Sequence, residues 1–388
     1  MKNYSFRKFI NDIHLWLGIG SGIIIFIICL SGTILVFQEE IEEIFAEDVV
    51  LNGQDLPLKS LTNLKNSISE AGLGQLSSIT IPSGKEGFYE ARIKTSPEDR
   101  RGTSFLVNPH TAEVLAQPES AASEFMFSMF KLHRWLLLDS SIGRPIVGIA
   151  TIIFMILSVS GLILWFPRKW RWRNFKQGFK IKTKANWKRI NHDLHNTLGF
   201  YALLLIIIMG LTGLCWSFEW YREAAGAVIG TKVFNRGGGV EFDPEPVSEE
   251  NIASLDRIYA IIHEEFNYEG EVSIGLPGED SPVYNIRKYD ESAFSPVISN
   301  KLVLDQSGKV LQKDIFSDKP LNVQIASLIK PIHLGEIYGT FSKILYFIAC
   351  LIATSLPVTG TIIWINKLRK KSSKKKSAKK LRREKVAA

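Results

Sequence analysis

The chain has 388 residues, 46% of them hydrophobic, with 47 Lys and Arg against 39 Asp and Glu and a net charge of +8. The apolar residues are clumped into four runs, which excludes an ordinary soluble protein built of shorter amphipathic helices. Its three cysteines, Cys29, Cys215 and Cys350, each fall inside one of those runs, so they offer neither a disulfide framework nor a thiolate metal motif.

The first run, 19–37, is about the length needed to cross a bilayer and holds no charged residue. It is too long for a secretory signal, and Gln38-Glu-Glu-Ile-Glu-Glu43 offers no small-residue cleavage site, so it reads as an uncleaved span. Its Gly18-Ile-Gly20-Ser-Gly22 stretch lacks a preceding strand and is no nucleotide loop. A polar segment follows, with a helix expected over 58–71 and strands near 75–81, 87–93, 103–107 and 113–115. The second run, 146–166, leads into a basic loop, and the third covers 198–218. A second polar segment opens on a joint at Gly237-Gly-Gly239 and Asp243-Pro-Glu-Pro246. It then predicts a helix over 249–266 and strands near 271–276, 282–287 and 301–304. The fourth run is 344–365, and a basic tail closes the chain.

Charge orients these spans. Lys and Arg stand at 2, 7 and 8, ten times in 168–189 and twelve times in 367–385, so 25 of the 47 lie in three short segments. Short basic segments stay on the cytoplasmic side, which places both termini inside and 38–130 and 219–330 outside. Such a tail touches anionic lipid rather than nucleic acid.

Histidine recurs beside each apolar run, in Asp12-Ile-His14-Leu-Trp-Leu-Gly18, Leu132-His133-Arg-Trp135, Asp193-Leu-His195-Asn-Thr-Leu-Gly199 and Pro331-Ile-His333-Leu-Gly335. Each run also carries a Ser/Thr-Gly step: Ser31-Gly32, Ser160-Gly161, Thr212-Gly213 and Thr359-Gly360. His14 to Gly32 and His195 to Gly213 are both 18 residues, whereas His133 to Gly161 is 28 and His333 to Gly360 is 27. The spacing describes a tandem repeat of span, polar domain, span. Each histidine is expected near the N-terminal end of its helix, where the dipole favours neutral imidazole.

With spans one and three running outward and two and four inward, His14 and His195 share the inner face, and His133 and His333 the outer one. Two histidines at one depth on different helices suit a six-coordinate heme, so the pattern predicts two bis-histidine hemes, one per leaflet. Eighteen residues of helix rise about 27 Å, which sets Gly32 and Gly213 beside the outer pair and Gly161 and Gly360 beside the inner pair. These glycines either give a macrocycle room or let helices pack closely, and the preceding hydroxyl meets a carbonyl or a propionate. His192, three residues before His195, competes with it as ligand. Zinc is disfavoured, because two histidines per face do not complete a tetrahedron.

At these residues the chain resembles the PepSY-associated transmembrane helix family, whose members include proteins similar to ferric-siderophore reductases of the bacterial inner membrane. The resemblance rests on the His14-Leu-Trp-Leu-Gly18 and His195-Asn-Thr-Leu-Gly199 starts, the four Ser/Thr-Gly steps, and Asn108-Pro-His-Thr-Ala-Glu-Val-Leu115, which is similar to the end of a PepSY domain. The chain departs from it at Asp305-Gln-Ser-Gly308 and at His333-Leu-Gly335. The resemblance implies heme b and outward electron transfer to a periplasmic ferric siderophore, with a cytoplasmic reductase or quinol as donor.

The expected architecture is therefore a membrane α-helical protein, a four-helix bundle with two periplasmic α+β PepSY-like domains. A cytoplasmic N-terminus covers 1–14, the first span 15–38 and the first domain 39–130. An interfacial segment and the second span cover 131–167, a basic cytoplasmic loop 168–190 and the third span 191–218. The second domain covers 219–330, an interfacial segment with the fourth span 331–366, and the cytoplasmic tail 367–388. A homodimer is compatible with this reading. The rival is a heme-free anchor whose PepSY-like domains bind a periplasmic protease or other partner.

Overall fold

A computed structural model describes residues 4–387 apart from 86, 97–98, 100–101, 118–119, 235–241, 243–246 and 279–280, and side chains only as far as 370. The joint at Gly237–Gly239 and Asp243–Pro246 lies outside the described residues. Four helices are long and apolar enough to cross a membrane: Phe6–Leu35, Ser140–Trp165, Trp187–Ser217 and Gly339–Lys370, the last continuing as helix to Ala387. Each packs on its chain neighbour, and the first also packs on the fourth, which closes a four-membered ring. Spans one and three are thus diagonal, as are two and four.

Small polar residues line the bundle interior, as expected where the surrounding lipid gives helices no hydrophobic reason to associate. Thr33 Oγ1 meets Thr354 Oγ1 at 3.2 Å, and Ser21, Ser158 and Ser160 are buried. Bulky side chains such as Ile23, Ile149, Leu204 and Leu351 face outward instead, a pattern that only a lipid solvent makes economical.

Both polar segments feed one sheet. The strands β1 (Gln75–Ile81), β2 (Tyr89–Lys94), β3 (Thr103–Val107), β4 (Val114–Ala116), β5 (Val272–Gly275), β6 (Tyr284–Tyr289), β7 (Ser299–Leu304) and β8 (Val310–Asp314) lie in the order β4-β3-β2-β1-β5-β6-β7-β8, and every neighbour is antiparallel. Where the sequence suggests two separate domains, β1 and β5 join them, pairing Ser78 with Gly275 through Ile81 with Val272. The physical reason is burial. Helices Leu61–Glu70 and Leu255–Glu265 cover the same face, and Leu64, Ile68, Ile79, Ile258, Ile262 and Ile274 form one continuous core across the junction. Pairing β1 with β5 also removes two exposed edges from the sheet.

Asp256 adds a polar tie across this junction. Its carboxylate accepts hydrogen bonds from the Leu61 amide at 2.7 Å and the Thr62 amide at 3.2 Å, so one half caps a helix of the other. Burial alone would raise its pKa, but the bonds from Thr62 and the Leu61 amide outweigh it and hold the carboxyl below its ordinary value. A depressed carboxylate pKa stabilises the fold above the unfolded-state value and loses that contribution as pH falls through the folded one. Asp256→Ala should therefore cost about 1–2 kcal/mol at neutral pH, and less in acid, by denaturant unfolding of the full chain in detergent.

Candidate functional site

His14 lies in the first span and His195 in the third, near the end of the bundle where the connection 166–186 joins the second and third spans. Their ring centroids are 6.3 Å apart and the rings are nearly perpendicular, at 87°. At the sheet end, His133 and His333 stand 6.4 Å apart at 51°. Each pair crosses a diagonal of the bundle, so it joins residues from the two halves of the chain.

Two features of the local chain differ from the sequence expectation. His133 and His333 do not open the second and fourth spans. They sit in the last turns of two separate helices, Ser123–Trp135 and Ile329–Leu334. The break after His133 comes from Leu136 and Leu137, both in the left-handed region at φ 57° and 59°, and the break after His333 comes from Gly335 at φ 79°. At these two positions the helix dipole therefore does not favour neutral imidazole, contrary to what the sequence suggests, since a helix C-terminus favours the cation. His14 stands nine residues into its helix, and His195 lies in a π-helical turn, Leu194–Leu198, a feature frequent at functional sites. No sequence signal announces that turn.

Each imidazole is held by the Ser/Thr-Gly step of its own half. His14 Nδ1 is 2.9 Å from Ser160 Oγ, and His195 Nδ1 is 2.9 Å from Thr359 Oγ1. His333 Nδ1 is 3.0 Å from Thr212 Oγ1, while His133 Nδ1 donates to the Ile28 carbonyl at 2.8 Å with Ser31 Oγ at 3.4 Å. The hydroxyl protons are already committed. Ser160 donates to Leu157, Thr359 to Ser355, Thr212 to Ile208 and Ser31 to Ile27. With those protons on the carbonyls each oxygen accepts from the imidazole, an arrangement that puts the ring proton on Nδ1 and leaves the Nε2 lone pair free at all four rings. Fixing the far nitrogen in this way is how proteins orient metal-binding histidines.

The glycines make room for the rings themselves. A Cβ added at Gly32 would lie 2.9 Å from His133 Cε1, at Gly213 3.0 Å from His333 Cε1, at Gly360 3.2 Å from His195 Cε1, and at Gly161 3.4 Å from His14 Cε1. Beside the roles their spacing suggests, these glycines thus seat the imidazole edge against the neighbouring helix. His192 shares the cavity of His195 but is half exposed, and its Nδ1 lies 3.6 Å from Asp193 rather than facing His14.

The ring separations provide a test of what the pairs could hold. Two metal–nitrogen bonds of about 2.0 Å, plus about 1.1 Å from each nitrogen to its ring centre, give about 6.2 Å for imidazoles on opposite sides of one ion. Edge-on aromatic packing also occurs at such distances. Packing, however, does not require all four Nδ1 atoms to be engaged by a neighbouring helix. Among the described residues no group of three or more His, Cys, Asp or Glu could hold a metal ion, so a tetrahedral site is not formed. The donor set fits a planar macrocycle that supplies its own four equatorial nitrogens. Around His14 and His195 there is also space for one, a cavity of about 560 Å³ walled by Gly18, Leu157, Gly161, Phe200, Leu356 and Gly360.

Removing an Nδ1 acceptor tests the clamp. Ser160→Ala or Thr359→Val should weaken ligand retention at that pair about 10- to 100-fold, read by titrating heme into the apoprotein in detergent.

The family described as PepSY-associated TM region matches residues 12–367, nearly the whole chain. No curated protein sequence matches it.

Proposed function

Because this chain belongs to the PepSY-associated TM region family and is a membrane protein with four apolar spans, we propose that its facing histidines hold two hemes and that it carries electrons across the membrane. The observation that carries this reading is the pair of facing imidazole sets, each ring engaged at Nδ1 by a neighbouring helix so that Nε2 is available as a ligand. His14 and His195 would hold one heme b, and His133 and His333 the other. A bis-imidazole heme supplies one-electron transfer with no open position for oxygen. The chain's own contribution is to fix the four rings, keep the walls apolar and set the two pairs at opposite ends of the bundle.

Outward delivery to a ferric siderophore is the activity we infer. Reduction frees the metal because ferrous iron is held more weakly than ferric by hard oxygen donors. The electrons would come from a cytoplasmic reductase or quinol. We place the protein in the bacterial inner membrane, with the sheet domain in the periplasm and the repeat arising from a tandem duplication. In support, β1–β4 and β5–β8 run outward from the central pair in mirrored order, and each half locks its own histidines. Absorbance of the purified protein separates this from a heme-free anchor. Reduction with dithionite should give a Soret band with sharp longer-wavelength bands, whereas a colourless protein refutes the heme reading.

The orientation is tested by labelling. The basic segments 168–189 and 367–385 should face the cytoplasm. A cysteine introduced after Ala388 should then react with an impermeant thiol reagent only once the membrane is opened. Labelling of that cysteine in intact cells would reverse the topology.

A further inference from the structure

The cavity around His14 and His195 is chemically two-sided. Its lining includes four basic residues, Arg7, Lys8, Arg168 and Lys367, and no Asp or Glu. All four lie where the first, second and fourth spans end, beyond the level of the histidines, while the rest of the wall is apolar apart from small polar groups. Two of these cations already have local partners. Arg7 donates to the Phe166 carbonyl at 2.8 Å, and Lys8 lies 4.7 Å from the Tyr4 ring centre. Arg168 and Lys367 make no ion pair within 4 Å among the described residues, and both are exposed side chains at the rim of the cavity.

We propose that Arg168 and Lys367 form a carboxylate-binding mouth that orients a planar, amphipathic dicarboxylate in this cavity with its acid groups toward the basic face. The proposal rests on the heme reading and deepens it. A macrocycle with two carboxylates cannot leave them against Leu157, Phe200 or Leu356, because a buried carboxylate without a partner is strongly disfavoured. The mouth holds the cations that can receive them, and charge-assisted bonds from Arg and Lys are the strong kind. One edge of the ligand is thereby fixed by charge, and the histidine pair fixes its centre. Arg168 and Lys367 are positioning residues; His14 and His195 remain the ligands.

The test compares heme b with its dimethyl ester, which keeps the iron and the ring but removes both negative charges. Apoprotein carrying His333→Ala, so that only the His14–His195 pair is complete, is titrated in detergent with each compound. Formation of the low-spin bis-imidazole spectrum is followed. Heme b should bind at least about tenfold more tightly than the ester. In the R168Q/K367Q variant the ratio should fall toward one, and in R168K/K367R, which keeps both charges, it should return. Equal affinity for acid and ester in the parent overturns the proposal while leaving the heme reading intact. A preference that persists in R168Q/K367Q overturns the assignment to these two residues. No low-spin spectrum with either compound overturns the heme reading, and this proposal falls with it.

Discussion

Replacing His14 or His195 with alanine should remove one heme of two and leave the other in place. The purified variant should carry about half the heme of the parent, and its reduced bands should keep the sheet-side component alone. The argument is geometric. His14 and His195 face only each other across the diagonal, 6.3 Å apart, and His133 and His333 do the same at the far end of the bundle. With one imidazole removed, a heme there would be held by a single histidine and the cavity walls, too weakly to survive purification as it would with both. His192 provides an internal control. It lines the same cavity but points toward Asp193, so His192→Ala should leave the heme content near that of the parent. If His192→Ala loses heme and His195→Ala does not, the ligand has been misassigned.

Breaking the sheet-side pair should have the larger effect on activity. His133→Ala or His333→Ala should leave the basic-face pair reducible but abolish reduction of a ferric chelate presented on the sheet side. Eighteen residues of helix between His14 and Gly32, which packs against His133, rise about 27 Å, so a centre at the basic face alone lies too far from a chelate on the sheet side to reduce it efficiently. The complementary variants, His14→Ala and His195→Ala, should block reduction from the basic face while dithionite added on the sheet side still reduces the remaining centre. Stopped-flow spectra of oriented vesicles distinguish the two classes. A sheet-side variant that reduces ferric chelate at the parental rate would show that the pairs are not in series.

Much of this arrangement is legible in the sequence, because hydrophobic runs and recurring motifs are local signals. The four spans fall where the apolar runs stand, and the edges of β1 and β3 match the alternating stretches at 75–81 and 103–107. The pairing of His14 with His195, and of His133 with His333, follows from helix direction alone. What escaped was either nonlocal or conformationally unusual. The β1–β5 ladder links residues such as Ile79 and Ile274, and no local pattern says that two half-sheets will merge. Left-handed Leu136 and Leu137 break a helix that composition would continue, because nothing short of tertiary packing selects that conformation for leucine. The Ser/Thr-Gly steps were visible, but their geometry was not. Only the fold reveals that the hydroxyl orients an imidazole and the glycine seats it.

The most direct test of the account is the number and type of hemes bound to the intact chain. Pyridine hemochrome quantification against protein mass, with low-temperature electron paramagnetic resonance of the oxidised protein, should give two hemes b per chain, both low-spin with two imidazole ligands. A protein purified from heme-replete cells with none, or with only high-spin heme that survives the loss of all four histidines, would contradict it.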